Sequence, residues 1–348
     1  MTKQDTARRV TLQDIARKTG FSVNTVSHAL RNKQDISEET REYIKETAKE
    51  LGYTGNQIAR SLRSGRTHSI ALILGNMSNP FYGSIADCLQ DAAQVKGYTL
   101  TILCSRDEPE LEQRMVEEAI ARCADGVFLI PSKGSELSIA RLQEAKIPFV
   151  LLFRATEQSV ADCIVCDDEN GAYLATRHLI ESGKRKLAYI ANNDILYSSK
   201  LRQQGFLRAC DEAGLPAEAR SIHIAARDFL SEREDNAWRE EMTALLLSLK
   251  RDGYDGIFSF CDMEAWQLMD IIGKCPELTP NPFGIVSFDN LADVLSFPLP
   301  LCSISYPFKD IAKRGVKLLR SRIHGDTTPP QTIVTPVELI CRESCRPI

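Results

Sequence analysis

Residues 10–30 constrain the fold of this chain more than any other stretch, because they predict two short helices joined by a tight turn. Thr11 and Ser22 are candidate N-caps, and Asp14 favours the first turn of the first helix. Gly20 stands where such a turn needs a positive φ. The segment therefore predicts a helix-turn-helix.

The second of these helices has a polar, uncharged front. Asn24, Ser27 and His28 share one face at i, i+3 and i+4, whereas Val26 and Leu30 face inward. Amide, hydroxyl and imidazole groups on a short helix suit the base edges of a DNA major groove. An ordinary pair of helices with a solvated face is the alternative.

The residues that follow favour DNA binding. Ser37-Glu38-Glu39-Thr40 predicts the start of a third helix, which Gly52 ends. The motifs Val-Thr-Leu-x-Asp-Ile-Ala, Ser-x-x-Thr-Val-Ser-x-x-Leu, Leu-Gly-Tyr and Asn-x-x-Ala-Arg-Ser-Leu-Arg occur in that order. Together they resemble the N-terminal headpiece of the LacI/GalR family of bacterial transcriptional regulators. The resemblance implies a sequence-specific DNA-binding regulator, a repressor, whose operator affinity a small-molecule effector controls.

The charge distribution agrees with a DNA contact at one end of the chain. Residues 1–66 hold 13 Lys and Arg against 8 Asp and Glu, although the whole chain of 348 residues has a net charge of −4. A basic head on an acidic body suits a nucleic-acid contact confined to the head. Because the sequence shows neither an apolar run of membrane-spanning length nor an apolar signal core, we expect a cytoplasmic protein with no membrane partner.

The eleven cysteines predict buried, reduced thiols rather than disulfides or a metal site. Cys163 and Cys166 form an isolated Cys-x-x-Cys, with no second pair and no nearby His to complete four zinc ligands. We therefore expect neither a metal nor a cofactor.

From residue 68 onward, short apolar runs alternate with amphipathic helices, which predicts an α/β fold. The motifs Arg-x-x-Gly-Phe, Asp-Glu-Ala-Gly-Leu and Ser-Phe-Asp-Asn of this region resemble the family's effector-binding core. The resemblance implies an all-α helix-turn-helix headpiece and a two-lobed, doubly wound core like that of type I periplasmic binding proteins. We expect a headpiece at 1–54, a hinge helix and linker at 55–67, and a core at 68–348. We expect the chain to cross between the lobes near 167, 298 and 328.

The resemblance also implies which residues contact a pseudo-palindromic DNA operator, to which the chain would bind as a homodimer. Val23, Asn24 and His28 hold the base-reading positions, and Thr11, Ser22, Thr25 and Ser27 are candidate phosphate contacts. In the hinge the candidates are Asn56, Ala59, Leu62 and Arg63, with Leu62 as the minor-groove wedge. Gly55 departs from the family's usual proline, and a glycine loosens the start of the hinge helix.

The expected effector is a carbohydrate or a related small molecule. A carboxylate and a guanidinium can hold sugar hydroxyls, and an aromatic ring packs on the apolar face of the sugar. The candidate effector ligands are Phe81, Tyr82, Arg154, Arg202, Phe229 and Asp289. Three positions depart from the family pattern: Phe153 stands for a common Asp, Cys261 for a usual Asn and Tyr306 for a common Gln.

Two other classes of function are disfavoured by the sequence. An enzyme on a doubly wound fold is disfavoured because the dinucleotide, P-loop, nucleophile-elbow and zinc-protease motifs are absent from the sequence. A solute-binding protein would need an export signal and would leave residues 1–66 without a purpose. We therefore expect a regulator and not an enzyme.

Overall fold

The computed structural model describes residues 10–53, 65–155, 161–191, 197–224, 232–293 and 300–345. The chain divides into two compact units, Met1–Thr67 and His68–Ile348. No helix in these ranges is both long and apolar enough to cross a membrane.

The first unit contains three helices in its described part: α1 (Leu12–Thr19), α2 (Val23–Ala29) and α3 (Glu38–Glu50). The predicted cap at Thr11 is present, since its backbone N–H donates to the Asp14 carboxylate at 2.9 Å and the Asp14 N–H donates back to its hydroxyl. Gly20 ends α1 with φ 76°. Ile15, Val26 and Ile44 are fully buried between the three helices.

The second unit begins with a sheet of six parallel strands, in the order β11-β5-β4-β3-β1-β2. Its strands are β1 (Ser69–Leu74), β2 (Thr99–Cys104), β3 (Gly126–Leu129), β4 (Phe149–Leu152), β5 (Asp162–Cys166) and β11 (Thr332–Thr335). The helices of this lobe are α4 (Pro80–Val95), α5 (Pro109–Ala121), α6 (Glu136–Glu144) and α11 (Phe308–Ile323). Apolar runs such as Ile70–Leu74 are buried because helices cover both faces of the sheet.

A second sheet of six strands forms the other lobe, in the order β12-β10-β9-β8-β6-β7 with only β12 antiparallel. Its strands are β6 (Leu187–Ala191), β7 (Arg220–Ile224), β8 (Gly256–Ser259), β9 (Gly284–Asp289), β10 (Cys302–Ser305) and β12 (Glu338–Ile340). The helices are α7 (Asp168–Glu181), α8 (Tyr197–Glu212), α9 (Glu232–Arg251) and α10 (Asp262–Lys274). The predicted two-lobed α/β core is therefore confirmed.

The chain passes between the sheets three times. It leaves the first sheet after β5 at residue 167, returns between β10 and α11, and leaves again between β11 and β12. The expected crossovers near 298 and 328 are wrong, since each lies before the strand that precedes the observed crossing. The error arose because β10, β11 and β12 are three or four residues long and rich in Ser, Thr and Glu.

The motif Arg-x-x-Gly-Phe has a structural reason for its glycine. α7 and α8 pack so closely that a Cβ on Gly205 would lie 2.0 Å from the backbone oxygen of Glu169. A side chain at this position would push the two helices apart. Gly205 therefore fixes how α8 presents Arg202 to α7.

Candidate functional site

The N-terminus of α2 presents the exposed part of the predicted DNA-reading surface. Ser22 caps the helix by accepting from the Thr25 N–H at 3.1 Å, and its hydroxyl lies 2.8 Å from that of Thr25. Val23, with 41% of its surface accessible, and Asn24 stand exposed next to the cap. This arrangement leaves the Asn24 amide available to a base edge.

His28 is held by an acid that sequence reasoning missed. Its Nδ1 lies 2.6 Å from a carboxylate oxygen of Asp35, which stands seven residues later in the turn before α3. The hydrogen bond with His28 lowers the pKa of Asp35. Because Nδ1 is engaged, Nε2 is the ring nitrogen that can meet DNA.

Two hydroxyls expected at the DNA surface have partners within the headpiece. Ser27 is buried and accepts from the Arg31 guanidinium, and the Thr11 hydroxyl donates to Asp14 at 2.7 Å. Thr11 and Ser22 cap the N-termini of α1 and α2, and the backbone N–H groups at a helix N-terminus attract phosphates. The hinge candidates Asn56, Ala59, Leu62 and Arg63 lie outside the described residues, as does Gly55.

In the core, five aromatic rings gather where the two lobes meet at the carboxyl ends of their strands. Phe81 lies at the centre, with its ring centroid 4.8 Å from that of Phe153, 5.3 Å from Tyr306 and 5.4 Å from Phe308. Phe288 joins this group through Tyr306, since their ring centroids lie 5.2 Å apart. We call these five residues the aromatic cluster. Phe153 and Tyr306, two of the departures noted from the sequence, are both members.

Tyr82 and Arg154 lie beside the aromatic cluster, with the Tyr82 ring 5.5 Å from that of Phe81. We call this region, where the two lobes meet, the cleft. The Arg154 guanidinium donates to the backbone oxygen of Pro131 at 2.7 Å, to Asp107 at 3.2 Å and to the Tyr82 hydroxyl at 3.4 Å. Burial raises the pKa of Tyr82 to about 12, so its hydroxyl stays protonated at neutral pH.

Arg202 also lies beside the aromatic cluster, buried between two rings. Its guanidinium carbon is 3.8 Å from the centroid of Phe288 and 4.4 Å from that of Phe260. Its Nε donates to Asp168 at 2.8 Å, and its two terminal nitrogens donate to the Phe260 oxygen and the Tyr306 hydroxyl, each at 2.5 Å. Three of its five N–H groups are thus engaged by described residues.

Asp289 ends β9 in the same cleft with a strained backbone at φ 110°. Its carboxylate is buried, and no described residue donates a hydrogen bond to it. Burial raises the pKa of Asp289 well above its usual value, the charge of Asp262 adds to the rise and Arg202 opposes it. Desolvation disfavours the charged form of this carboxylate, and a ligand that donates hydrogen bonds to it would offset that cost.

Asp262, at the start of α10, differs from Asp289 because its oxygens are satisfied. It accepts from Ser303 Oγ at 2.6 Å, from Ser287 Oγ and from the Leu291 N–H at 2.7 Å. Burial raises the pKa of Asp262 to about 6. This network ties β9, β10 and α10 together beneath Asp289 and therefore fixes the position of the cleft.

Phe229, Cys163 and Cys166 were also singled out in the sequence. Phe229 lies outside the described residues. Cys163 and Cys166 are buried in apolar clusters on opposite faces of β5, so their thiols cannot share one ion. Asp168, Phe153, Tyr306 and Phe308 belong to the site but were not predicted as ligands. The feature of the sequence that could have indicated a role for them is that each stands just after a strand.

Family models match both units of the chain. The model described as "Periplasmic binding proteins and sugar binding domain of LacI family" matches residues 67–243, and "Bacterial regulatory proteins, lacI family" matches residues 11–56. The "HTH-type transcriptional repressor PurR" of Actinobacillus pleuropneumoniae serotype 3 (strain JL03) is 29% identical over 97% of this chain and 98% of its own.

Two solved structures extend the comparison to the fold. The transcriptional regulator CelR in complex with cellobiose is 25% identical, covers 97% of this chain and 100% of its own, and has a TM-score of 0.67. The Lac repressor dimer bound to operator and the anti-inducer ONPF is 20% identical, covers 98% and 100%, and has a TM-score of 0.82. With its three-helix headpiece and two-lobed core, this chain belongs to the LacI family of bacterial regulatory proteins.

Proposed function

We propose that this chain is a transcriptional repressor that binds a pseudo-palindromic operator as a homodimer and is controlled by a carbohydrate or related effector in the cleft. The observation that carries the effector role is the buried Asp289 carboxylate, which lacks a donor among the described residues and lies beside Arg202 and the aromatic cluster. Sugar hydroxyls would donate to Asp289, and an aromatic face would cover the apolar side of the ring. The solved relative CelR binds cellobiose, which supports this class of ligand.

A thermal-shift screen of sugars, sugar phosphates and nucleosides on the full chain tests the effector class. A ligand that binds only the folded core raises its melting temperature, by an amount that grows with concentration over Kd. We expect hits among the neutral and phosphorylated sugars. A set of hits confined to nucleosides would contradict the carbohydrate proposal and leave the regulator proposal standing.

For DNA, we propose that Asn24 and His28 read bases from α2 while the hinge residues around Leu62 enter the minor groove. Asn24 is exposed beside the helix cap, and Asp35 holds the His28 ring by its Nδ1. Thr11, Ser22 and Thr25 would position the helix on phosphates. Ser27 contributes less in this arrangement, because it is buried against Arg31.

Asn24→Ala is expected to weaken binding to the specific operator by about 5- to 150-fold, since one bidentate base contact contributes about 1–3 kcal/mol of discrimination. His28→Ala should weaken it in the same direction. Gel-shift titration against an operator selected from random duplexes, and against a scrambled duplex, measures both effects. Binding to the scrambled duplex should change little, because phosphate contacts remain.

Glu46→Gln supplies the control, since Glu46 is exposed on α3 and the change preserves shape. If Asn24→Ala and His28→Ala both bind the operator as tightly as the unaltered chain, α2 is not the reading helix.

A further inference from the structure

A group of metal-binding side chains lies in the second lobe, at the opposite end of β10 from Tyr306 and the cleft. It comprises His178 on α7, Cys302 at the start of β10 and Cys345 in the segment after β12. Their ligand atoms all lie within 4.8 Å of one another. Cys302 and Cys345 are buried, whereas His178 is only half-buried.

The spacing fits a tetrahedral zinc ion. The Cys302 sulfur lies 3.7 Å from His178 Nε2. A zinc ion bonded to sulfur at about 2.3 Å and to nitrogen at about 2.0–2.1 Å holds these two atoms about 3.6 Å apart when the angle is tetrahedral. The two ligand atoms therefore already have the separation that the ion requires.

The surroundings also resemble an outer coordination shell. The Arg342 N–H donates to the Cys302 sulfur at 3.1 Å, which favours the thiolate form that binds metals. On the other side of the imidazole, the Cys341 sulfur lies 3.8 Å from His178 Nδ1. Ligating histidines commonly engage a partner through their second nitrogen, and that contact orients the ring.

We propose that His178, Cys302 and Cys345 bind one Zn²⁺ ion, with a water on the half-exposed side of His178 as the fourth ligand and Cys341 as an outer-shell partner. Binding displaces the thiol protons of the two cysteines into solvent. The ion joins α7, β10 and the C-terminal segment, which otherwise contacts the sheet here through bonds such as Cys345 Sγ to the Ile285 oxygen at 3.3 Å. It therefore fastens the C-terminal segment to the second lobe.

The test measures metal content, spectrum and stability of the full chain. Protein purified with reductant, loaded with Zn²⁺ and freed of excess should retain one ion per chain, and its melting temperature should exceed that of the chelator-treated form by about 5 °C or more. Loading with Co²⁺ instead should give the absorption bands of a tetrahedral site with two thiolates. His178→Gln, Cys302→Ser and Cys345→Ser should lose the ion and the shift.

Two further variants distinguish this site from general thiol binding. Cys341→Ser should keep the ion with about 10-fold weaker affinity, the low end of the loss typical of an outer-shell partner. Cys123→Ser, which removes an exposed cysteine of the first lobe, should bind as the unaltered chain does.

Three outcomes would overturn the proposal. The first is an unaltered chain that retains no Zn²⁺ under reducing conditions. The second is retention of the ion by Cys345→Ser or His178→Gln at unchanged affinity. The third is a Cys302–Cys345 disulfide recovered by peptide mapping from chain handled without reductant or oxidant, since that bond would consume both thiolates.

Discussion

Asp289→Asn is expected to make the ligand-free protein more stable and to remove its response to the effector. The change replaces a buried carboxylate that has no donor among the described residues with a neutral side chain of the same shape. Burial disfavours the charged form of this carboxylate, so a neutral side chain removes that cost. The amide keeps only one accepting oxygen and carries no charge, so the ligand-induced rise in melting temperature should become much smaller or disappear.

The difference in stability between the unaltered chain and Asp289→Asn should depend on pH. Because burial raises the pKa of Asp289 in the folded state, the folded chain holds this proton more tightly than the unfolded chain does. Asp289 should therefore destabilise the fold progressively as pH rises above about 3.9, the ordinary Asp pKa, toward the folded value. Melting curves of both proteins between pH 4 and pH 8 should diverge as pH increases.

Asp262→Asn is the matched control, since Asp262 is also a buried acid with a raised pKa but accepts three hydrogen bonds. It should lower stability where Asp289→Asn raises it. An Asp289→Asn protein that is less stable than the unaltered chain, or that keeps its full effector response, would contradict the assignment of this carboxylate.

Asp168→Ala is expected to give the largest loss of stability in the core, about 3–5 kcal/mol, because it leaves the Arg202 charge buried without its partner. Asp168 and Arg202 are 2% and 3% exposed and lie 2.8 Å apart. Urea unfolding monitored by circular dichroism measures the free-energy change.

Two variants sharpen this experiment. Glu169→Ala breaks the Arg208–Glu169 pair between the same two helices, which is 40% and 36% exposed, and should cost at most about 1 kcal/mol. The double variant Asp168→Leu with Arg202→Met should recover part of the loss, because no charge stays buried. If Asp168→Ala costs no more than Glu169→Ala, Arg202 is not held as described.

The local parts of the headpiece were predictable from sequence because their causes are local. The Thr11–Asp14 cap, the Gly20 turn and the buried Ile15 depend on residues within one or two turns. The His28–Asp35 contact and the burial of Ser27 against Arg31 depend on the path of the loop and on side-chain packing. Helical spacing alone placed Ser27 on the same face as Asn24.

In the core, the sequence predicted the apolar strands and missed the short strands β10, β11 and β12. β10 reads Cys-Ser-Ile-Ser and does not resemble a buried strand, yet Ser303 is fully buried because it donates to Asp262. The cleft was likewise only partly predictable from the sequence. Arg202 and Asp289 were predicted as ligands, but the rings that surround Phe81 come from segments that only the fold brings together.

The separation of the metal-binding residues explains why the sequence indicated no metal. Cys163 and Cys166 are close in sequence but lie on opposite faces of a strand, whereas His178 and Cys302 meet through tertiary structure. Short spacing indicates a metal site only where the local structure turns both ligands toward one ion, as a tight turn or one face of a helix does.

Helix α7 carries Asp168 at its first residue and His178 ten residues later. At 1.5 Å per residue, these two side chains start about 15 Å apart on one rigid rod. The coupling free energy between two ligands that bind near the two ends of one helix is the same in both directions. If the proposed ion and the effector are coupled through this helix, the factor by which the ion changes effector affinity equals the factor by which the effector changes ion affinity.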